Sequence, residues 1–234
     1  MPTSQQTFAD RLGRANTVAA AINLATPVFA PADITLNSAN FAPFVTGLGT
    51  MNEGANAAND AYATAVRQRL AMVKDIKGRA LRAFRYVLSN KAWAANASSL
   101  KLTYDKLRAN KPKAAKLPPS GSPGEVAKAI KSSEQSFSDL ESLLMKFVVG
   151  LGKITGYAPA AAELTLSALQ SLSAAYATKN QTMASLAEDA ALKIRSRQTG
   201  FLDLKSKTKD IKNAVLAQYG PKSATYTSIK GLSF

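Results

Sequence analysis

The sequence predicts an all-α fold: an elongated helical bundle built from two tandem, diverged helical repeats about a pseudo-twofold axis. Three observations predict it. The first is composition. Of the 234 residues 46% are hydrophobic but only 7% aromatic, and 19% are charged. Ala, Ser, Thr and Lys are abundant. Ala and Leu favour helix, and small residues let helices approach closely. The second is periodicity. Apolar residues recur at spacings of three and four along several stretches, as one buried helical face requires.

The third is internal similarity. FAPA stands at 29–32 and YAPA at 157–160, a shift of 128. At that shift Leu36, Phe41, Phe44 and Leu48 fall on Leu164, Leu169, Leu172 and Tyr176. Val66, Val73, Ile76, Ala80, Ala83 and Val87 fall on Ile194, Phe201, Leu204, Thr208, Ile211 and Val215. Arg67 and Arg69 fall on Arg195 and Arg197. One further residue of shift brings QTFAD at 6–10 over QSFSD at 135–139. Two Ala-rich helical segments align easily, but keeping the apolar positions in phase for so long points to duplication. The first repeat is assigned to 1–110 and the second to 125–234. KPKAAKLPPSGSPG at 111–124 reads as a Pro/Gly/Lys linker between them.

In chain order, the first helix is expected over 5–26. Thr3 and Gln6 can cap it, and Phe8, Ala15, Val18 and Ile22 form its apolar face. Pro31 then makes FAPA a corner, with Phe29 plugging the turn and the proline entering the next helix. Gly47, Gly49 and Gly54 are expected to break the stretch after the corner into two helices. A long helix is expected near 55–90.

After the linker, Ser122, Pro123 and Glu125 supply a helix start. The helix itself is expected over 130–152. Val126, Ile130, Ser133, Phe137, Leu140, Leu144, Phe147, Leu151 and Ile154 form its stripe. YAPA repeats the corner. The second repeat has no glycines to match the GLGTMNEG of the first. Its stripe of Leu169, Leu172, Tyr176, Met183, Leu186 and Ala190 runs on nearly in phase. Two readings stay open for 160–219: one helix of up to about 60 residues, or a hairpin near Asn180 followed by a long helix near 185–219. Gly220 and Pro221 stop it. Tyr226, Ile229, Leu232 and Phe234 in the tail are expected to lie extended against the bundle. Phe137, Leu144, Phe147, Phe201 and Ile211 are expected in the core.

The chain has neither Cys nor His. That excludes disulfides, zinc sites of the usual kinds, Ser-His-Asp and Cys-His nucleophiles, and Glu-x-x-His di-iron sites. No Gly-rich phosphate loop is present, nor a helix-turn-helix or RNA-module signature. Carboxylate pairs such as Glu188 with Asp189, and Asp139 with Glu141, sit at helical spacings beside Lys and Ser, as surface charge does. No catalytic, cofactor or metal residues are assigned. The longest apolar runs fall far short of a membrane span. Arg11 and Arg14 precede an apolar run, but Asp10, Asn23, Thr26 and Pro27 interrupt it, so no convincing signal peptide is read. A cytoplasmic location, or release within an assembly, is the corresponding expectation.

The charge is uneven. Between positions 67 and 116 stand 14 Lys and Arg against Asp75 and Asp105, a net +12 of the chain's +15. On VKDIKGRALRAFRYV at 73–87, Lys74, Arg79, Arg82 and Arg85 lie opposite Val73, Ile76, Ala80, Phe84 and Val87. Such a face suits phosphate. Arg67 and Arg69 extend it, and Tyr86 and Trp93 are placed to stack on bases. The plain alternative is a solvated face that keeps the protein soluble. In the second repeat Lys74, Arg82 and Arg85 give way to Leu202, Asp210 and Asn213. The core pattern thus survives divergence and the basic face does not.

The functional expectation is a non-catalytic scaffold or assembly component that associates with itself or with a protein partner. The alternative is nucleic-acid or polyanion binding through 67–116. A third is a membrane-active helical protein, for which FVVGLGKITG at 147–156 is the weak signal; stable transmembrane insertion is not expected.

Overall fold

A computed structural model describes residues 7–112 and 123–234, and the side chains of all of these except 123–135. Among the described residues the chain is helical and has no strands. The helices are α1 (Phe8–Asn23), α2 (Ser38–Ser89), α3 (Ala94–Ala109), α4 (Pro123–Gly152), α5 (Leu166–Tyr219) and α6 (Ala224–Ile229). Short 3-10 turns at Ile34–Leu36, Lys91–Trp93 and Ala162–Leu164 join them.

The described residues form two compact units, which are not the two sequence halves. The first takes Met1–Ala57 and Leu192–Phe234, and the second Ala58–Ala191. Each long helix therefore contributes to both.

In the first unit, α1 starts at a capping box. The Thr7 side chain accepts from the Asp10 amide, and the Asp10 carboxylate accepts from the Thr7 amide at 3.0 Å. The cap expected from Thr3 and Gln6 lies outside the described residues. Ala15, Val18 and Ile22 are buried, as the spacing requires. The core gathers Phe29, Phe41 and Leu48 with Phe201, Ile211 and Val215. At the FAPA corner Phe29 is buried. The Gln218 side chain donates to the Val28 carbonyl at 2.9 Å and accepts from the Ala30 amide at 3.1 Å. The Tyr219 hydroxyl donates to the Pro27 carbonyl at 2.6 Å. Pro31 lies in the irregular segment before the 3-10 turn rather than in the first turn of α2.

The tail departs from the extended expectation. Residues 224–229 form α6, capped by Ser223, with Ile229 buried. Leu232 and Phe234 pack on the same core. Helix α5 stops where expected: Gly220 takes the left-handed conformation at φ 79°, which side chains other than glycine rarely adopt.

In the second unit, α3 folds back along α2. Phe84 stacks on Tyr104 with ring centroids 4.5 Å apart, and the Lys77 ammonium reaches the carbonyls of Arg108 and Asn110. Helix α4 supplies Phe137, Leu140, Leu144, Phe147 and Leu151 to this core. A further cluster joins Ala58, Tyr62 and Ala65 to Met183, Ala187 and Ala190. Leu186 packs half-buried against this cluster, while Ala187 beside it is fully buried. At the YAPA corner the Tyr157 hydroxyl donates to the Leu164 carbonyl at 2.9 Å. The Tyr86 hydroxyl donates to the Ala158 carbonyl at 3.0 Å. The start expected at Ser122 and Glu125, and the stripe positions Val126, Ile130 and Ser133, fall on residues whose side chains are not described.

The expected break in α2 does not occur. The helix runs through Gly47, Gly49 and Gly54 in helical conformation. Each glycine costs about 1 kcal/mol relative to Ala in a helix. However, the buried stripe Phe41, Val45, Leu48, Ala55, Ala58 passes between them without losing phase, so packing overrides propensity. Likewise α5 is one helix of 54 residues, and no hairpin forms at Asn180.

Candidate functional site: the basic face and two buried arginines

The six basic residues singled out by sequence do not share one surface. Lys74, Arg67, Arg82 and Arg85 are exposed on α2, and Arg79 is half-buried. Arg79 pairs with Asp75 one turn earlier at 3.0 Å, and Arg82 pairs with Glu163 at 2.7 Å. Its own backbone amide and Arg82 hold the Glu163 carboxyl below the usual range. Glu163 lies 81 positions from Arg82, which is why no local pattern announced this partner. Tyr86 and Trp93 are not a stacking platform. Both rings pack against Tyr157, at 5.6 and 6.5 Å between centroids. Burial, with Tyr86 adding to it, pushes the Tyr157 phenol up to about 12.

Arg69 leaves the polyanion set altogether, because it is fully buried. It occupies the apolar stripe of α2, four residues from both Ala65 and Val73, so the helix turns it inward. Its guanidinium lies 3.6 Å from the centroid of the Phe137 ring and reaches the Asn180 side-chain oxygen at 3.4 Å. Asn180 in turn donates to Glu141 at 2.7 Å. The chain Arg69, Asn180, Glu141 is an interior network. A charged residue in phase with the buried stripe was the signal for it.

The first unit holds a parallel arrangement. Arg197 sits in the buried stripe of α5, its guanidinium 4.2 Å from the Phe8 ring centroid. It donates to Asn56 at 2.9 Å and to Asn52 at 3.4 Å. Burial pushes its pKa below the ordinary arginine value. In both units an arginine over a phenylalanine face gains from the ring quadrupole as well as from its hydrogen bonds.

Open surface grooves flank these cores. One in the first unit, of about 760 Å³, is lined by Phe44, Met51, Thr199 and Leu202 among others. One in the second, of about 350 Å³, lies between α3 and α4. Neither gathers a set of convergent titratable groups. The FVVGLG segment at 147–152 places Phe147, Val148 and Leu151 in the second unit's core. Among the described residues no helix is long and apolar enough to cross a membrane. Comparison with protein-family models, with curated proteins and with solved structures found no match.

Proposed function

We propose that this chain is a non-catalytic helical scaffold, built from two diverged copies of one helical unit about a pseudo-twofold axis, that associates with itself or a protein partner. The observation that carries this reading is the pair of buried arginine frames. Arg69 and Arg197 are 128 positions apart, as are Asn52 and Asn180. Each frame takes its arginine from one copy and its asparagine and phenylalanine from the other. Two of the three 3-10 turns among the described residues, those opened by Ile34 and Ala162, keep the same offset. The most polar residues of the interior are thus used to hold helices in register, a role known for buried polar groups in helical assemblies.

Size-exclusion chromatography with light scattering, with and without nuclease treatment, tests the reading. A nuclease-resistant assembly, or a stoichiometric protein partner, is expected. A bare monomer that captures nothing contradicts it, and an assembly that collapses under nuclease replaces it with nucleic-acid binding.

A further inference from the structure

The second unit carries a cationic surface that the scaffold reading does not use; it lies within the basic 67–116 stretch, but of the α2 face singled out by sequence it keeps only Lys74. The Lys77 ammonium, on α2, donates to the carbonyls of Arg108 and Asn110 at the end of α3. That contact draws the last turn of α3 against the Lys74–Lys77 stretch of α2. Lys74, one turn before Lys77, and Arg108 and Lys111, beside its carbonyl partners, are all exposed. Among the described residues, the carboxylates of these stretches, Asp75 and Asp105, are already committed. Asp75 pairs with Arg79, and Asp105 with Lys101 at 2.6 Å. Burial, and then the neighbouring charge of Lys111, lower the Lys77 pKa, so like charges crowd at this place.

We infer that the surface formed by Lys74, Arg108 and Lys111, held together by the Lys77 contact, binds the phosphate backbone of a nucleic-acid duplex, without reading sequence. Backbone contacts from Lys and Arg on neighbouring helices position a duplex but carry no base information. Two observations favour a duplex over other polyanions. First, single strands are held largely by aromatic stacking, and here Tyr86 and Trp93 are packed against Tyr157. Second, a lipid surface calls for an apolar helix face beside the charges. The α3 apolar residues Leu100, Tyr104 and Leu107 are instead buried, and Leu102 is the large apolar side chain that α3 exposes.

The test uses the full chain and a mixed-sequence DNA duplex of about 20 base pairs, titrated between about 50 and 200 mM salt. The variant carries Lys74→Gln, Arg108→Gln and Lys111→Gln. A charge-matched control carries Lys205→Gln, Lys209→Gln and Lys222→Gln, exposed positions of the first unit. Wild type should bind with a steep inverse salt dependence. The variant should lose more than tenfold in affinity and flatten the log–log slope by about 2 to 3, roughly one per cation removed. The control should change the slope by less than about 1. Circular dichroism confirms that both variants keep their helix. No duplex binding at low salt overturns the inference. So does an equal loss in the control, which would make binding a property of net charge alone. Tighter binding to the single strand, or binding to anionic phosphatidylserine vesicles but not to duplex, overturns it too.

Discussion

Each unit buries an arginine, and the two are hydrogen-bonded differently. In the second, Arg69 reaches Asn180, and Asn180 reaches the Glu141 carboxylate. In the first, Arg197 meets two asparagines, Asn52 and Asn56, and no carboxylate among the described residues. The shift that brings Phe8 onto Phe137 places Leu12 where the other unit has Glu141. The shift that brings Asn52 onto Asn180 places Ala184 opposite Asn56. What both units keep is the cation over a phenylalanine with an asparagine beside it; the rest of its solvation is improvised locally. Register between helices is therefore the constant requirement, and charge balance has more than one solution.

The largest expected difference arises here. Replacing Arg69 with Met strands Asn180 and Glu141 around an apolar side chain, and should cost about 3–5 kcal/mol. Among the described residues Arg197 has only neutral partners, so Arg197→Met removes a buried charge without stranding a carboxylate, and its cost should stay within about 1 kcal/mol. Denaturant midpoints of the two variants measure the contrast. Equal losses would mean that the carboxylate contributes nothing and that the frames are energetically alike.

Smaller effects come from the glycines that let helices touch. A methyl group added at Gly200 would stand 2.5 Å from a Leu48 methyl, and one at Gly150 equally close to Leu100. Both neighbours are ends of flexible side chains and can yield, so Gly200→Ala and Gly150→Ala should each cost about 1–2 kcal/mol. Nothing lies within 4 Å of the corresponding point at Gly47. Gly47→Ala should therefore stabilise by about 0.5–1 kcal/mol. A destabilised Gly47→Ala would show that α2 needs flexibility there.

These positions also mark where the sequence was legible. Periodicity located Phe137, Leu144, Phe147, Phe201 and Ile211 in the core, and all five are buried. Proline placed both corners, and Gly220 with Pro221 placed the end of α5. Local breaker rules failed at Gly47, Gly49 and Gly54, because a stripe packed on distant residues outweighs a propensity of about 1 kcal/mol each. Counting charge failed at Arg69. Its number of basic neighbours suggested a surface, while its phase in the stripe pointed to the core. Glu163 and the Lys77 contacts were out of reach, since their partners lie 81 and 31–33 residues away.

The smallest expected difference concerns the corners. Tyr157 has a raised pKa because burial disfavours its phenolate. Its contribution is fully present below about 10, the ordinary phenol value, and is lost as pH rises towards about 12. Phe29, its counterpart in FAPA, has nothing to ionise. Stability of wild type should thus fall across that window. Tyr157→Phe should remove this component of the fall, at the cost of the hydrogen bond to Leu164. An unchanged alkaline profile in the variant would show that other groups govern it.

The central claim is that each unit is completed by residues from both sequence halves, and separate expression of 1–110 and 125–234 tests it most directly. Arg69 would be parted from Phe137 and Asn180, and Arg197 from Phe8 and Asn52. Each half alone should be molten, aggregated or self-paired, without a cooperative unfolding transition. An equimolar mixture should restore a one-to-one complex that unfolds cooperatively. Two halves that fold as stable monomers and ignore each other would contradict the account.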